Sequence, residues 1–556
     1  MDAQLAPARS PDRARPQFVA LPRSWAPISA AAHWEPDKVH RRRWATLGVM
    51  CLSLTLIGLD NTVLNVALPT LVRDLHATGS QLQWIVDSYT LIFAGLLLTA
   101  GTLGDRFGRR RALFVGMTIF GLSSLWAAWA AGADQLIAAR AFMGIGAAAI
   151  MPATLSIIIT VFTDPAERAK AIGIWAAVAG LGIIGGPSLG GWLLMHFWWG
   201  SVFLINVPVA VGTVALGRVL VPESRDPAAP RADLIGMASS VAGLAALVWA
   251  FIQAPVRGWT DPLILLLMLA GAGVLVVFVL WERRTAAPML DMGFFRDRDF
   301  SVCSAVISLA SFALVGALFF LSQYLQFVLG YNALGTGARL LPFATMALGA
   351  PLGIVLSQRH ATKFAVAPGL AVTSLGLSLI ATITPSDGYP KLGLALGIIG
   401  FGVGMAMAPA TDAVMASLPA EKAGIGSAVN DTARQVGGAL GVAVLGSLLA
   451  ARYADGLSGQ LDETTVPAAA RGGIGQTLAF GHDAAGADAA GVAGAAATSF
   501  VHAMDVTVLA AAGVVIAGAV VAAVWLPARQ PRRASVLTTG QLLSGLLVAA
   551  PAQFDL

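Results

Sequence analysis

Three ionisable residues fall inside apolar runs long enough to cross a membrane. Asp60 lies in L-D-N-T-V-L-N-V-A-L-P, Asp87 in Q-W-I-V-D-S-Y, and Arg140 three residues into A-A-R. An ionised group in hydrocarbon is costly and marks a functional position that needs a partner. At 1.5 Å per residue, Asp60 sits about 13 Å before Pro69, and Asp87 and Arg140 about 8 Å into their runs. All three therefore share a depth in the outer half. One arginine neutralises one carboxylate, and whichever of Asp60 or Asp87 is left less compensated favours its protonated form and can carry a proton. A purely structural Asp–Arg pair that locks helix packing is the other reading.

A second polar group gathers near the inner ends of two later runs: Asp412, Asn430, Asp431 and Arg434, with Gln435 beside them. It reads as a cytoplasmic gate in which Arg434 pairs with Asp412 or Asp431, or else as a polar layer that faces water. Candidate substrate-pathway residues are Asn61, Trp84, Tyr89, Gln253, Gln323, Tyr324 and Gln326, with Asn332 nearby. Trp84, Tyr89 and Trp175 offer ring faces to a flat cation, although tryptophans near a membrane surface also serve as anchors.

The elements that must hold these residues are membrane helices. Of the 556 residues, 57% are hydrophobic and 12% charged, against roughly a quarter charged in a soluble domain. Mean hydropathy is +0.75 and the pI about 9.5. The net charge of +5 is spread over short loops, so topology explains it and nucleic acid is not an expected partner. Cys51 and Cys303 lie far apart, which predicts neither a disulfide framework nor a metal site. There is no Walker A sequence, no H-E-x-x-H and no nucleophile elbow. We expect no enzyme, no catalytic residue and no cofactor, with a proton gradient supplying energy.

Fourteen apolar runs lie between about residues 45 and 526, each near the roughly 20 residues a bilayer demands. Arg41–Arg43, Arg106–Arg111, Arg283, Arg284 and Arg529–Arg533 fall on alternate turns. That bias predicts cytoplasmic termini. The expected division is a disordered cytoplasmic tail over 1–43, a six-helix bundle over 44–222, and two additional helices with an amphipathic cytoplasmic linker over 223–299. A second bundle over 300–526 carries an Ala/Gly-rich flexible outer loop at 451–499, and a cytoplasmic tail occupies 527–556. The turn at Ser357–Lys363 weakly echoes that at 101–113, as two related halves would require.

The turn Gly101–Leu113 carries G-x-x-x-D-R-x-G-R-R through Gly101, Asp105, Arg106, Gly108, Arg109 and Arg110. It closely resembles the loop between the second and third helices of major facilitator superfamily transporters. Asp105 has the chemistry to accept from a neighbouring helix N-terminus, leaving Arg109 to pair with a carboxylate and hold the two halves together on the inside. The runs around Asp60, Asp87 and Arg140 look like signatures of the fourteen-span drug/proton antiporters. Gly182, Gly186, Pro187, Gly190 and Gly191 match the G-x-x-x-G-P-x-x-G-G element of exporters. The resemblance implies an all-α polytopic fold of two six-helix bundles plus two central helices. It also implies a monomeric proton-coupled antiporter in the cell membrane that exports lipophilic, cationic drugs by alternating access. The alternative on the same fold is a dedicated exporter of one natural product, neutral or anionic.

Overall fold

The structure, a computed structural model, describes residues 36–528 apart from 227–231, 385–386, 419–422, 462–465, 468–470 and 484–488. The tail over 1–35, the stretch after 528, and the parts of the 451–499 loop in these gaps lie outside the described residues.

Long apolar stretches leave the backbone no water to bond, so each folds as a helix that satisfies its own N–H and C=O groups. The first seven are α1 (Pro36–Leu75), α2 (Gly79–Phe107), α3 (Arg109–Ala128), α4 (Ala133–Val161), α5 (Pro165–His196), α6 (Ser201–Leu204) and α7 (Asn206–Leu220). Next come α8 (Leu234–Arg257) and α9 (Pro262–Glu282), then α10 (Arg298–Gln323), α11 (Ala333–Arg339), α12 (Met346–Arg359), α13 (Lys363–Ile380) and α14 (Tyr389–Ala416). The last are α15 (Ala423–Ser458), α16 (Ile474–Asp483) and α17 (Ala489–Trp525). Among the described residues, thirteen helices are long and apolar enough to cross a membrane. A fourteenth candidate is a pair of segments, Lys170–Gly182 and Gly185–His196, that together are long and apolar enough and are bent by 41°. Pro187 lacks the N–H that the Ile183 carbonyl would receive, which accounts for a bend at that point.

Polar residues set the helix starts. Thr78 accepts from the Gln81 N–H while Gln81 Oε1 accepts from the Thr78 N–H, a reciprocal cap for α2. Asp164, Asp233 and Asp261 cap α5, α8 and α9.

In the first half α2 packs on α4, α1 on α5, and α3 on α4 and α7. In the second, α10 packs on α15, α13 on α14 and α17, and α12 on α14. The additional helices pack on each other, and α8 lies along both α2 and α15, at the seam between the halves. Ser447 on α15 donates to the Phe251 carbonyl there at 2.6 Å.

The halves meet at the end opposite the start of α1. Gln326 Nε2 donates to the Val66 carbonyl at 2.9 Å, and a Cβ placed at Gly337 would stand 2.2 Å from the Pro187 carbonyl. Two expectations need correction here. The described parts of 451–499 are not a flexible loop: α16 lies there, and buried Arg471 donates to the carbonyls of Val466 at 2.8 Å and Leu461 at 3.4 Å. Gly475 on α16 touches Val72 of the first half and Phe327 of the second. In the linker before α10, the expected amphipathic helix is only the short 3-10 turn Met292–Arg296. Pro288 interrupts the helix, and Asp291 and Asp297 cap new turns.

Candidate functional site

Asp60 on α1 and Arg140 on α4 face each other across the core of the first half. Arg140 Nη1 donates to Asp60 Oδ2 at 2.5 Å, and both side chains are 2% exposed. Asn206 Nδ2 at the start of α7 donates to the other oxygen of Asp60 at 3.2 Å and to Ser124 Oγ at 3.3 Å. Arg140 Nε donates to the Ile85 carbonyl at 3.1 Å. Its guanidinium lies 4.2 Å over the centroid of the Tyr89 ring. The Tyr89 side chain is fully buried, so its ring serves Arg140 and is not open to a flat substrate. A buried pair with this much secondary bonding is worth little net against an apolar alternative, but removing one partner strands a charge.

Asp87 receives nothing from Arg140. The side chain on α2 is 0% exposed, and neither carboxylate oxygen has a hydrogen-bond partner among the described residues. A carboxylate so placed is stable in hydrocarbon only when neutral or when a cation reaches it. Similar depth did not bring all three groups into contact, because depth along a helix leaves its rotation open.

Between the halves lies a cavity of about 340 Å³. Asn61, Thr62, Asn65 and Thr90 give it a polar side, and Phe93, Phe343, Met346 and Met407 an apolar one. Asn61 Nδ2 donates to the Ile57 carbonyl at 3.0 Å. Asp431 and Arg434 of α15 also line the cavity; Asp60 and Asp87 do not.

The proposed gate pairing is not formed in this conformation. Asp412 and Arg434 are exposed; the charge of Arg434 acts on Asp431, but no ion pair within 4 Å joins Arg434 to Asp412 or Asp431 among the described residues. Asn430 instead accepts from Thr411 Oγ1 at 3.0 Å. Other candidates lie off the cavity. Trp84 packs with Leu91, Val248 and Ile252 at the seam, and Gln253 belongs to α8. Gln323 donates to the Phe319 carbonyl at 3.2 Å and is buried. Tyr324 is fully buried, and Gln326 bridges the halves as described.

The basic turn is built around its own half. Gly108 has φ +124°, a conformation that favours glycine. Asp105 accepts from Arg109 Nε at 2.7 Å, and Arg109 Nη1 reaches Thr160 Oγ1 at 2.5 Å. Arg109 does pair with a carboxylate, Asp105, but that pair does not join the two halves here: the side-chain partners lie on α2 and α4, and the backbones of Arg109 and Asp105 bond to Ser224 and Asp226, just after α7. Glu223, absent from the sequence reading, supplies the anion. It accepts from the Arg110 N–H at 3.1 Å and lies 3.8 and 3.7 Å from Arg110 and Arg111. The acid follows directly on the sixth apolar run, a signal the sequence did contain. Arg106 stacks on Phe107, and Gly101 packs against Pro152.

The Gly-rich face of α5 lets it approach α1 closely. A Cβ at Gly186 would stand 2.0 Å from Thr62 Oγ1, and one at Gly190 2.9 Å from Val63. Gly182 faces the α1 backbone less closely, a Cβ there standing 3.2 Å from the Thr55 carbonyl oxygen, while Gly191 meets Ala333 of the second half.

Comparison with known proteins follows this geometry. The chain matches the Major Facilitator Superfamily model over residues 50–442. It is similar to the multidrug efflux pump LfrA of Mycolicibacterium smegmatis, with 36% identity covering 87% of this chain and 96% of that protein. The puromycin resistance protein pur8 of Streptomyces alboniger is 38% identical over 82% of this chain and 91% of its own length. The methyl viologen resistance protein SmvA of Salmonella typhimurium is 36% identical, covering 74% and 83%. Among solved structures, a bacterial homologue of the human lysosomal transporter Spinster, inward-facing and occupied, superposes with a TM-score of 0.62. That match has 18% identity and covers 87% of this chain and 97% of the other; the likeness is one of fold. On the family match and the long alignments to curated efflux and resistance proteins, this chain belongs to the Major Facilitator Superfamily of membrane transporters.

Proposed function

We propose that the chain is a proton-coupled antiporter that exports lipophilic cations by alternating access of its two halves. The observation that carries this reading is Asp87, a membrane-embedded carboxylate with no partner, beside an Asp60 already neutralised by Arg140. Protonation makes Asp87 neutral, and loss of that proton forces a rearrangement that supplies a counter-charge. The apolar cavity between the halves is of drug size. The relatives named above are efflux and resistance proteins, which supports drug export as the task. The Arg/Lys bias of alternate turns supports a cell-membrane protein with both termini in the cytoplasm. In that orientation the contacts of Gln326 with Val66 and of Gly337 with Pro187 lie on the outer side of the cavity, which supports loading from within. A monomer suffices, since one chain contains both halves.

A dedicated exporter of one natural product remains the second reading. Its supporting feature is Arg434, an exposed cation on the cavity wall that suits a carbonyl-rich or anionic molecule.

The test is ethidium uptake into proteoliposomes under an imposed pH gradient, with the chain in either orientation. Accumulation that a protonophore abolishes supports antiport. Ethidium flux indifferent to the gradient removes proton coupling, and no flux of any cation favours the dedicated exporter.

A further inference from the structure

We infer that Asp431 on α15 is the anchor for the substrate's cationic group, so that substrate and proton occupy separate carboxylates. The inference rests on the antiporter reading and specifies where its cation binds.

Asp431 is the one carboxylate lining the central cavity among the described residues. It also lines an adjoining cavity of about 40 Å³ that reaches Trp175, Met151 and Ser427, so it stands at the junction of the two. The register of α15 explains the placement. Asp431, Arg434, Gln435 and Gly438 all line the cavity, and spacings of three and four put them on one helical face. Arg434, one turn along and exposed, acts on Asp431 through its charge, but no ion pair within 4 Å joins them among the described residues, and Arg140, the other cation of the cavity lining, is bonded to Asp60.

The other two acids are unsuited to a drug-sized cation. Asp60 is occupied by Arg140 and Asn206. Asp87 is sealed from solvent and lies outside the cavity lining. A proton can reach such a site by a transient hydrogen-bonded chain; a flat organic cation needs a wall it can lie against. Phe93, Phe343, Met346 and Met407 supply polarisable faces in the same cavity as Asp431. The ligand class is therefore a lipophilic monocation with a flat aromatic body. Arg434, one turn along, would meet a carbonyl or other acceptor on that body. Coupling then passes between helices, because α15, which carries Asp431, packs along α2, which carries Asp87.

The experiment is equilibrium binding of ethidium to the purified full chain, by fluorescence polarisation, for the parent, Asp431→Asn and Asp431→Glu. Loss of a charge-assisted contact predicts affinity weakened about tenfold or more in the Asn variant, with the Glu variant recovering most of it. Parent-like binding by Asp431→Asn overturns the inference, as does equal weakening by Asn and Glu, which would mark a structural effect. The antiporter reading is judged separately by gradient-driven uptake in the parent. Uptake that works while Asp431→Asn binds normally sinks only the anchor; a parent that binds no ethidium sinks both.

Discussion

Arg140 bonds Asp60 at 2.5 Å, with its guanidinium seated over Tyr89 and both charges almost wholly out of solvent. That one contact distinguishes the two buried acids, because it commits Arg140 to Asp60, while neither oxygen of Asp87 has a hydrogen-bond partner among the described residues.

Arg140→Ala should be severe. It strands Asp60 in the core, and breaking a buried pair from one side costs about 3–5 kcal/mol. Thermal unfolding in detergent should show a large fall in Tm. The double variant Arg140→Met with Asp60→Leu should recover much of that loss while transport stays absent.

Close approach of α5 to α1 depends on Gly186. A Cβ there would overlap Thr62 Oγ1 at 2.0 Å, so Gly186→Ala should cost about 1–3 kcal/mol through overpacking. Gly173→Ala, where nothing lies within 4 Å of the added atom, should leave Tm unchanged or slightly raised. Differential scanning fluorimetry of the two variants is the check.

At the end where α1 begins, Arg43 donates through two nitrogens to Glu167, each at 2.8 Å. The hydrogen bond from Arg43, followed by its charge, holds the Glu167 carboxyl below the usual glutamate range. A depressed folded value means stabilisation that is complete above the unfolded value and lost as pH falls through the folded one. Tm measured from pH 7 down through the acid range should therefore fall less in Glu167→Gln than in the parent. A parallel fall in both proteins would remove this pair from the acid response.

The α16 cap touches both halves, and Val72 Cγ1 lies 2.7 Å from where a Gly475 Cβ would stand. Adding one carbon–carbon bond puts the two Cβ atoms within roughly 4.2 Å, a separation that a disulfide spans. Val72→Cys with Gly475→Cys, in a chain with Cys51 and Cys303 replaced by Ala, should cross-link on oxidation and stop transport. Reductant should restore it. Full transport by the oxidised protein would show that the cap does not have to part from the first half.

The apolar periodicity and loop charges made the helical architecture legible, since a bilayer admits few other solutions. Asp60, Asp87 and Arg140 stood out for the same reason: each is an ion in an oily run. The choice Arg140 makes between the two acids was not legible, because axial depth says nothing of helix rotation. Rotation likewise hid the use of Tyr89 as a platform for Arg140 and the turning of Trp84 toward α8. Asp105 and Arg109 were recognised, yet their partners depend on which conformation is adopted; here one end is closed and the arginine stays within its own half. The cap at α16 was masked by Ala/Gly-rich composition, which reads as flexible unless tertiary contacts such as those of Arg471 are known. Asp431 was visible as a polar residue near a helix end, but its place on the cavity wall followed only from the packing of α15.

The most direct measurement is proton release on ethidium binding, followed with a pH dye in weakly buffered detergent solution for the parent, Asp60→Asn and Asp87→Asn. The account predicts release from the parent and none from Asp87→Asn, with Asp60→Asn still releasing protons if it retains its fold. Release from Asp87→Asn equal to the parent's would contradict the assignment of the proton to Asp87.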